Sequence, residues 1–138
     1  MTNLPPLYRT YGTLKYETDG YKVYLEVDKE LTNYYRSLIP KYYNIVKPSY
    51  TPHITLCRTG FEVPTNLNNW KYGEYILFPY RYMPVIREDE SFFWLDCFSI
   101  HLEHIRRKLG LPVDSRNPPR YTGYRRTFHI TIARKTNV

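Results

Sequence analysis

The sequence predicts an α+β fold made of two pseudo-symmetric lobes within one domain that spans residues 1–138. A six-residue motif occurs twice, as HITLCR from His53 and as HITIAR from His129, with four identical positions. Both copies are typical of β-strands, because β-branched and aliphatic residues dominate them. The chain is long enough for one domain with a hydrophobic core. We place lobe one at about residues 1–65 and lobe two at about residues 66–138.

The elements of the first half follow from local patterns. Residues 8–16 are rich in Tyr and Thr and favour a strand, and residues 21–27 alternate between apolar and polar in a second strand. Asp28 is a suitable N-cap for a helix, which Pro40 ends. A short strand at 42–46 and a connection then lead to the first motif. The predicted order is strand, helix, connection and His strand.

The second half repeats this order. Residues 75–78 and 83–87 are short apolar stretches interrupted by prolines, which favours edge strands or a hairpin. Residues 92–97 form a strong strand, and residues 99–109 form an amphipathic helix that ends at Gly110. Each lobe is therefore expected to be a small, mostly antiparallel sheet with one packed helix.

Composition restricts the partners and the compartment. The net charge of +7 favours an anionic partner, and the sixteen tyrosines are more than a small core can bury. Cys57 and Cys97 lack metal-ligand spacing and are expected to be free thiols in a reducing compartment. The sequence shows neither a secretion signal nor an apolar run that could span a bilayer. We therefore expect a cytoplasmic protein that does not engage a membrane.

Each motif should present its chemistry on one face of a strand. Side chains alternate across a strand, so the His, the Thr two residues later and the small residue after that should share a face. These residues are His53, Thr55 and Cys57 in the first copy and His129, Thr131 and Ala133 in the second. The aliphatic residues between them should point into the core.

Two imidazoles and two hydroxyls are suited to phosphodiester cleavage. The ordinary pKa of histidine lies near neutrality, so one ring can act as general base while the other acts as general acid. The hydroxyls can donate to phosphate oxygens in the transition state. This chemistry requires no metal and no other cofactor. The predicted catalytic residues are His53, Thr55, His129 and Thr131.

Paired His-x-Thr motifs are the signature of the 2H phosphoesterases, which this sequence resembles. It is most similar to the phage anti-CBASS phosphodiesterases. The resembling features are the compact size, the runs VYLEVDK at 23–29 and LGLPV at 109–113, the PHIT entry to the first motif, and the abundance of Tyr and Trp. The resemblance implies a central cleft between the lobes. It also implies metal-independent cleavage of 3′–5′ bonds in cyclic di- or oligonucleotides such as 3′,3′-cyclic GMP-AMP, which counteracts host defence in the host cytoplasm.

Substrate contacts are expected from arginines and exposed aromatic residues. An arginine-rich loop precedes His129, and its guanidinium groups can reach a phosphate. Tyrosines can stack on bases. The predicted substrate-binding residues are Tyr11, Arg120, Tyr124, Arg125 and Arg126. His101 and His104 lie three residues apart without a third ligand, so no metal site is predicted.

Two other functions use the same four residues. One is an RNA phosphodiesterase that opens terminal 2′,3′-cyclic phosphates on short RNA. The other is a non-catalytic sponge that sequesters nucleotides, with the histidines as phosphate ligands. The motifs specify the reaction centre and leave the identity of the bases open.

Overall fold

The structure is a computed structural model that describes residues 7–17, 22–57, 63–67, 74–111 and 128–136. The strands are β1 (Tyr8–Glu17), β2 (Lys22–Glu26), β3 (Ile45–Val46), β4 (His53–Cys57), β5 (Glu74–Glu88), β6 (Phe92–Phe98) and β7 (Phe128–Lys135). The helices are α1 (Lys29–Ser37) and α2 (Ile100–Lys108).

All strands within the described residues belong to one antiparallel sheet that closes on itself. Its order is β3-β7-β4-β2-β1-β5-β6, and β6 pairs back onto β7. Six strands therefore form a closed barrel, and the short β3 shares the edge of β7 with β4. The prediction of an α+β fold with two lobes, each a small sheet with its own helix, around a cleft is wrong. β4 pairs with β7, and β1 pairs with β5, so the two halves of the chain share continuous hydrogen-bonded ladders.

The two halves of the chain contain the same elements in the same order, in agreement with the repeat in the sequence. The hairpin β1–β2, helix α1 and strand β4 are followed by the hairpin β5–β6, helix α2 and strand β7. Both helices begin at side-chain caps. Asp28 accepts a hydrogen bond from the backbone N–H of Glu30 (2.9 Å), and Ser99 accepts one from that of Leu102 (3.2 Å).

β5 is longer than the sequence predicts. The sequence predicts two short edge strands here, but the structure has one continuous strand. This strand lies between β1 and β6, although it contains Pro79 and Pro84. Its register against β6 shifts between Tyr82 and Ile86, which brackets Pro84. A proline lacks a backbone N–H, and such an irregular segment tolerates the missing ladder bond. The prediction of edge strands or a separate hairpin is therefore wrong.

The hydrophobic core joins the sheet to both helices. Its fully buried aliphatic side chains are Leu14, Val23, Leu25, Ile54, Leu56, Leu95, Leu102, Leu109, Ile130 and Ile132. Helix α1 packs mainly on β7, whereas α2 packs on β4 and β5. Each helix therefore contacts the His strand of the other half of the chain. Within the part of the chain that the structure describes, no helix has the length and apolar content to span a membrane.

Gly12 lets β1 approach β2 closely. A Cβ at this position would lie 2.6 Å from the carbonyl oxygen of Glu26 and 2.8 Å from Cγ of Leu25. Because the nearest atom is backbone, Gly12→Ala should force the strands apart and destabilise the fold by about 1–3 kcal/mol. Thermal unfolding followed by circular dichroism should show a Tm lowered by several degrees. An unchanged Tm would contradict the tight packing seen at this position.

Candidate active site

The two His motifs lie side by side. β4 and β7 are antiparallel neighbours, and Ile54 is paired with Ile130. Both isoleucines are fully buried, so the residues before and after each of them project from the opposite face. The register then places His53 opposite Thr131 and Thr55 opposite His129. The structure thus brings the four predicted residues together on one sheet, as neighbours rather than across a cleft between lobes.

This cluster is open to a ligand. His129 is exposed, and His53, Thr55 and Thr131 are half-buried. The two histidines are diagonal neighbours in the ladder, a relation that separates residues by about 7–8 Å. A phosphate group placed between them can therefore meet both rings and both hydroxyls.

Cys57 and Ala133 do not share this face, and that part of the prediction is wrong. Both residues are fully buried in the core. Val23 pairs with Cys57, and Tyr24 pairs with Thr55. Because Val23 and Tyr24 are consecutive on β2, β4 carries one extra residue, Leu56, at this point. The register of β7 against β6 slips at the equivalent position. These β-bulges turn Cys57 and Ala133, each two residues after the Thr of its motif, toward the core.

An acidic and an aromatic residue flank each motif from the neighbouring strand. The opposed pairs are Glu26 with His53 and Tyr24 with Thr55 on the β2 side, and Asp96 with His129 and Trp94 with Thr131 on the β6 side. Sequence reasoning missed these four flanking residues. The signal that could have revealed them is a second repeat, Tyr-Leu-Glu at 24–26 and Trp-Leu-Asp at 94–96.

The two flanking carboxylates differ in their surroundings. Asp96 is only 4% exposed, and its oxygens accept hydrogen bonds from Nη1 of Arg87 (2.9 Å) and Nε1 of Trp94 (3.0 Å). Glu26 is half-buried and accepts from Nζ of Lys15 (3.2 Å). The carboxylate next to the second histidine is therefore held in one orientation by two donors.

The ring of His53 is oriented by its surroundings. Its Nδ1 lies 2.9 Å from the carbonyl oxygen of Thr51, which can only accept, so Nδ1 carries a proton and donates it. The neutral ring then has its lone pair on Nε2. The rings of Tyr24 and Tyr50 pack edge-on against the imidazole, with centroids 5.7 and 5.1 Å away. Nε2 is therefore the nitrogen that would exchange a proton with a substrate.

No family model, curated protein or solved structure matches this chain. The interpretation of the site accordingly depends on its residues and their geometry.

The predicted substrate-binding residues are only partly described. Tyr11 lies on β1, is 45% exposed and has the guanidinium of Arg9 over its ring at 5.5 Å. Thr13, two residues further along β1, pairs with Glu26, so Tyr11 lies two strands away from His53 along the same sheet. The other predicted contacts, Arg120, Tyr124, Arg125 and Arg126, lie outside the described residues.

Among the residues whose positions are described, no group of three His, Cys, Asp or Glu side chains is arranged to hold a metal ion. His101 and His104 are both exposed on α2. Independence from metal stays a prediction, which activity in the presence of a chelator would test.

The two hydroxyls provide a test of the phosphate site. Thr55→Val and Thr131→Val keep the side-chain volume but remove a donor, so each should lower kcat by about a hundredfold if the hydroxyl stabilises transition-state charge. Thr10→Val is the matched control. Thr10 is a strand threonine that lies on β1, where it pairs with the buried Tyr80, and it does not belong to the His-Thr cluster. Steady-state kinetics on a cleaved dinucleotide gives the comparison. Equal rates for the control and the two site variants would remove the hydroxyls from the mechanism.

Proposed function

We propose that this chain is a metal-independent phosphodiesterase of the 2H type that cleaves the 3′–5′ bonds of cyclic di- or oligonucleotides. The observation that carries the proposal is the placement of both His-x-Thr motifs on adjacent antiparallel strands, with Ile54 paired to Ile130 in the core behind them. Two imidazoles and two hydroxyls then share one face of the sheet. That set is what acid–base cleavage of a phosphodiester requires.

The reaction uses the 2′-hydroxyl of the substrate. One histidine removes the 2′-O–H proton, O2′ bonds to the adjacent phosphorus, and the P–O5′ bond breaks. The other histidine donates a proton to O5′, and Thr55 and Thr131 donate hydrogen bonds to the non-bridging oxygens. The first products are a 2′,3′-cyclic phosphate and a free 5′-hydroxyl. Water then opens the cyclic phosphate with the histidine roles exchanged, which leaves a 3′-phosphate.

The pseudo-symmetry of the site supports a substrate with a base on each side of the cleaved phosphate. Tyr24 and Trp94 flank the two motifs on opposite sides, one on β2 and one on β6. Aromatic rings can stack on bases of any identity. The net charge of +7 favours a polyanionic ligand. In this proposal the enzyme acts in the cytoplasm, where it destroys cyclic nucleotide signals of host defence.

One incubation tests the proposal. Purified protein is mixed with cyclic dinucleotides, cyclic oligoadenylates and short RNA ending in a 2′,3′-cyclic phosphate, all in EDTA, and the products are separated by chromatography. We expect linear products from the cyclic nucleotides. Opening of the RNA ends alone would favour the RNA-processing enzyme. Recovery of intact nucleotide in a stoichiometric complex would favour the sponge.

Chelation and pH test the two-histidine chemistry directly. If imidazoles perform both proton transfers, EDTA should leave kcat/KM unchanged, and its pH profile should be bell-shaped over roughly pH 5 to 9. The two limbs of this pH profile report apparent pKa values of the coupled histidine pair rather than the pKa of either ring alone. Strict dependence on added Mg²⁺ or Zn²⁺ would contradict the assignment.

A further inference from the structure

Each catalytic strand carries its β-bulge at the same position relative to its histidine. Leu56 has no partner on β2, and Ile132 has none on β6, and each lies three residues after the histidine of its motif. Both residues are buried in the core. A bulge disrupts the ladder locally, and a buried carbonyl oxygen still needs a hydrogen-bond donor.

An arginine supplies that donor in both cases. Nη1 of Arg106 on α2 donates to the carbonyl oxygen of Leu56. Nη1 of Arg36 on α1 donates to the carbonyl oxygen of Ile132 (2.9 Å). Arg106 is fully buried and Arg36 is half-buried. The two bulges are therefore held by the same kind of charged hydrogen bond at equivalent backbone positions.

The two contacts cross between the halves of the chain. The helix of the second half holds the first His strand, and the helix of the first half holds the second, across 50 and 96 residues of sequence. Both guanidinium groups bind the backbone of the His strands, in a contact that is buried for Arg106 and partly buried for Arg36. They can therefore act on the reaction through the strands.

We infer that Arg36 and Arg106 are positioning residues that fix the bulges and so keep both His-Thr pairs on the substrate face. A shift of strand register by one residue moves every side chain to the other face of the sheet. If a bulge were lost, the strand on one side of it would shift by one residue, and a shift on the histidine's side would turn both catalytic side chains of that strand into the core. The inference deepens the proposed function and rests on it for its catalytic consequence.

The test measures imidazole signals and kinetics in the same variants. Arg36→Met should shift the long-range ¹H–¹⁵N imidazole resonances of His129 while those of His53 stay in place, because the guanidinium of Arg36 donates to a carbonyl oxygen of the second His strand. It should also lower kcat by about ten- to a hundredfold, as a small misplacement of catalytic groups does, with a smaller change in KM. Arg36→Lys keeps a cationic donor and should shift His129 less.

The matched control is Arg107→Met, because Arg107 is exposed and adjacent to Arg106. This variant should leave the imidazole resonances of both His53 and His129 unchanged. Arg106→Lys is the reciprocal variant and should shift His53. Since Arg106 is fully buried, the decision rests on Arg36→Met, whose fold is checked by circular dichroism. Equal shifts at both rings, or none at His129 in folded protein, would overturn the inference. The resonances are read without substrate, so this outcome is distinct from a failure of the proposed function.

Discussion

His53→Ala and His129→Ala should each lower the turnover of a cyclic dinucleotide by roughly a hundredfold or more, the usual contribution of a positioned acid or base. His129 is exposed and His53 is half-buried, whereas the core residues of their strands remain in place in both variants. We therefore expect folded proteins with a parent-like circular dichroism spectrum. Product formation followed by chromatography gives the rates.

His101→Ala and His104→Ala are the matched controls for these variants. Both histidines lie exposed on α2, and neither belongs to the His-Thr cluster. Their turnover should equal that of the parent. A folded His53→Ala protein with parental turnover would exclude His53 from proton transfer, and the same reasoning applies to His129.

Replacing the attacking 2′-hydroxyl of the substrate by hydrogen should abolish cleavage at that position. The nucleophile is part of the substrate, so no residue of the protein can substitute for it in the proposed route. A cyclic dinucleotide with one 2′-deoxyribose offers an internal control, because the phosphate next to the intact ribose should still be cleaved. Cleavage next to the deoxyribose at an unchanged rate would rule out attack by the 2′-oxygen.

The elements that depend on local patterns could be predicted from the sequence. Strands β4 and β7 have uninterrupted β-branched and aliphatic motifs, and α1 begins at the predicted cap, Asp28. These features depend on neighbouring residues, which a sequence displays directly. The face shared by each His and Thr follows from strand alternation, and the burial of Ile54 and Ile130 agrees with it.

Strand partners could not be predicted in the same way. Periodicity shows which face of a strand is buried but does not show which strand it pairs with, so it does not reveal the closed barrel. The bulge at Leu56 is equally invisible in the sequence, since no glycine marks it, and simple alternation therefore predicts the wrong face for Cys57. Pro84 suggested an interruption, whereas the register shift within β5 accommodates it.

The acidic residues that flank the site could be predicted only in part from the sequence. Glu26 and Asp96 each sit in a short repeated triplet, so an internal comparison of the two halves would have paired them. Their position opposite the histidines required the register of β2 and β6. The crossed contacts of Arg36 and Arg106 depend on helix packing, and no sequence spacing encodes them.

The double variant His53→Ala/His129→Ala tests the central claim, that the paired motifs form one reaction centre, most directly. Turnover of the preferred cyclic dinucleotide is measured in EDTA, and binding of the same nucleotide is measured by calorimetry. We expect a folded protein that binds the nucleotide within about tenfold of the parent, since the flanking aromatic residues remain. Cleavage should fall by at least as much as in either single variant. Parental turnover by the folded double variant would contradict the claim.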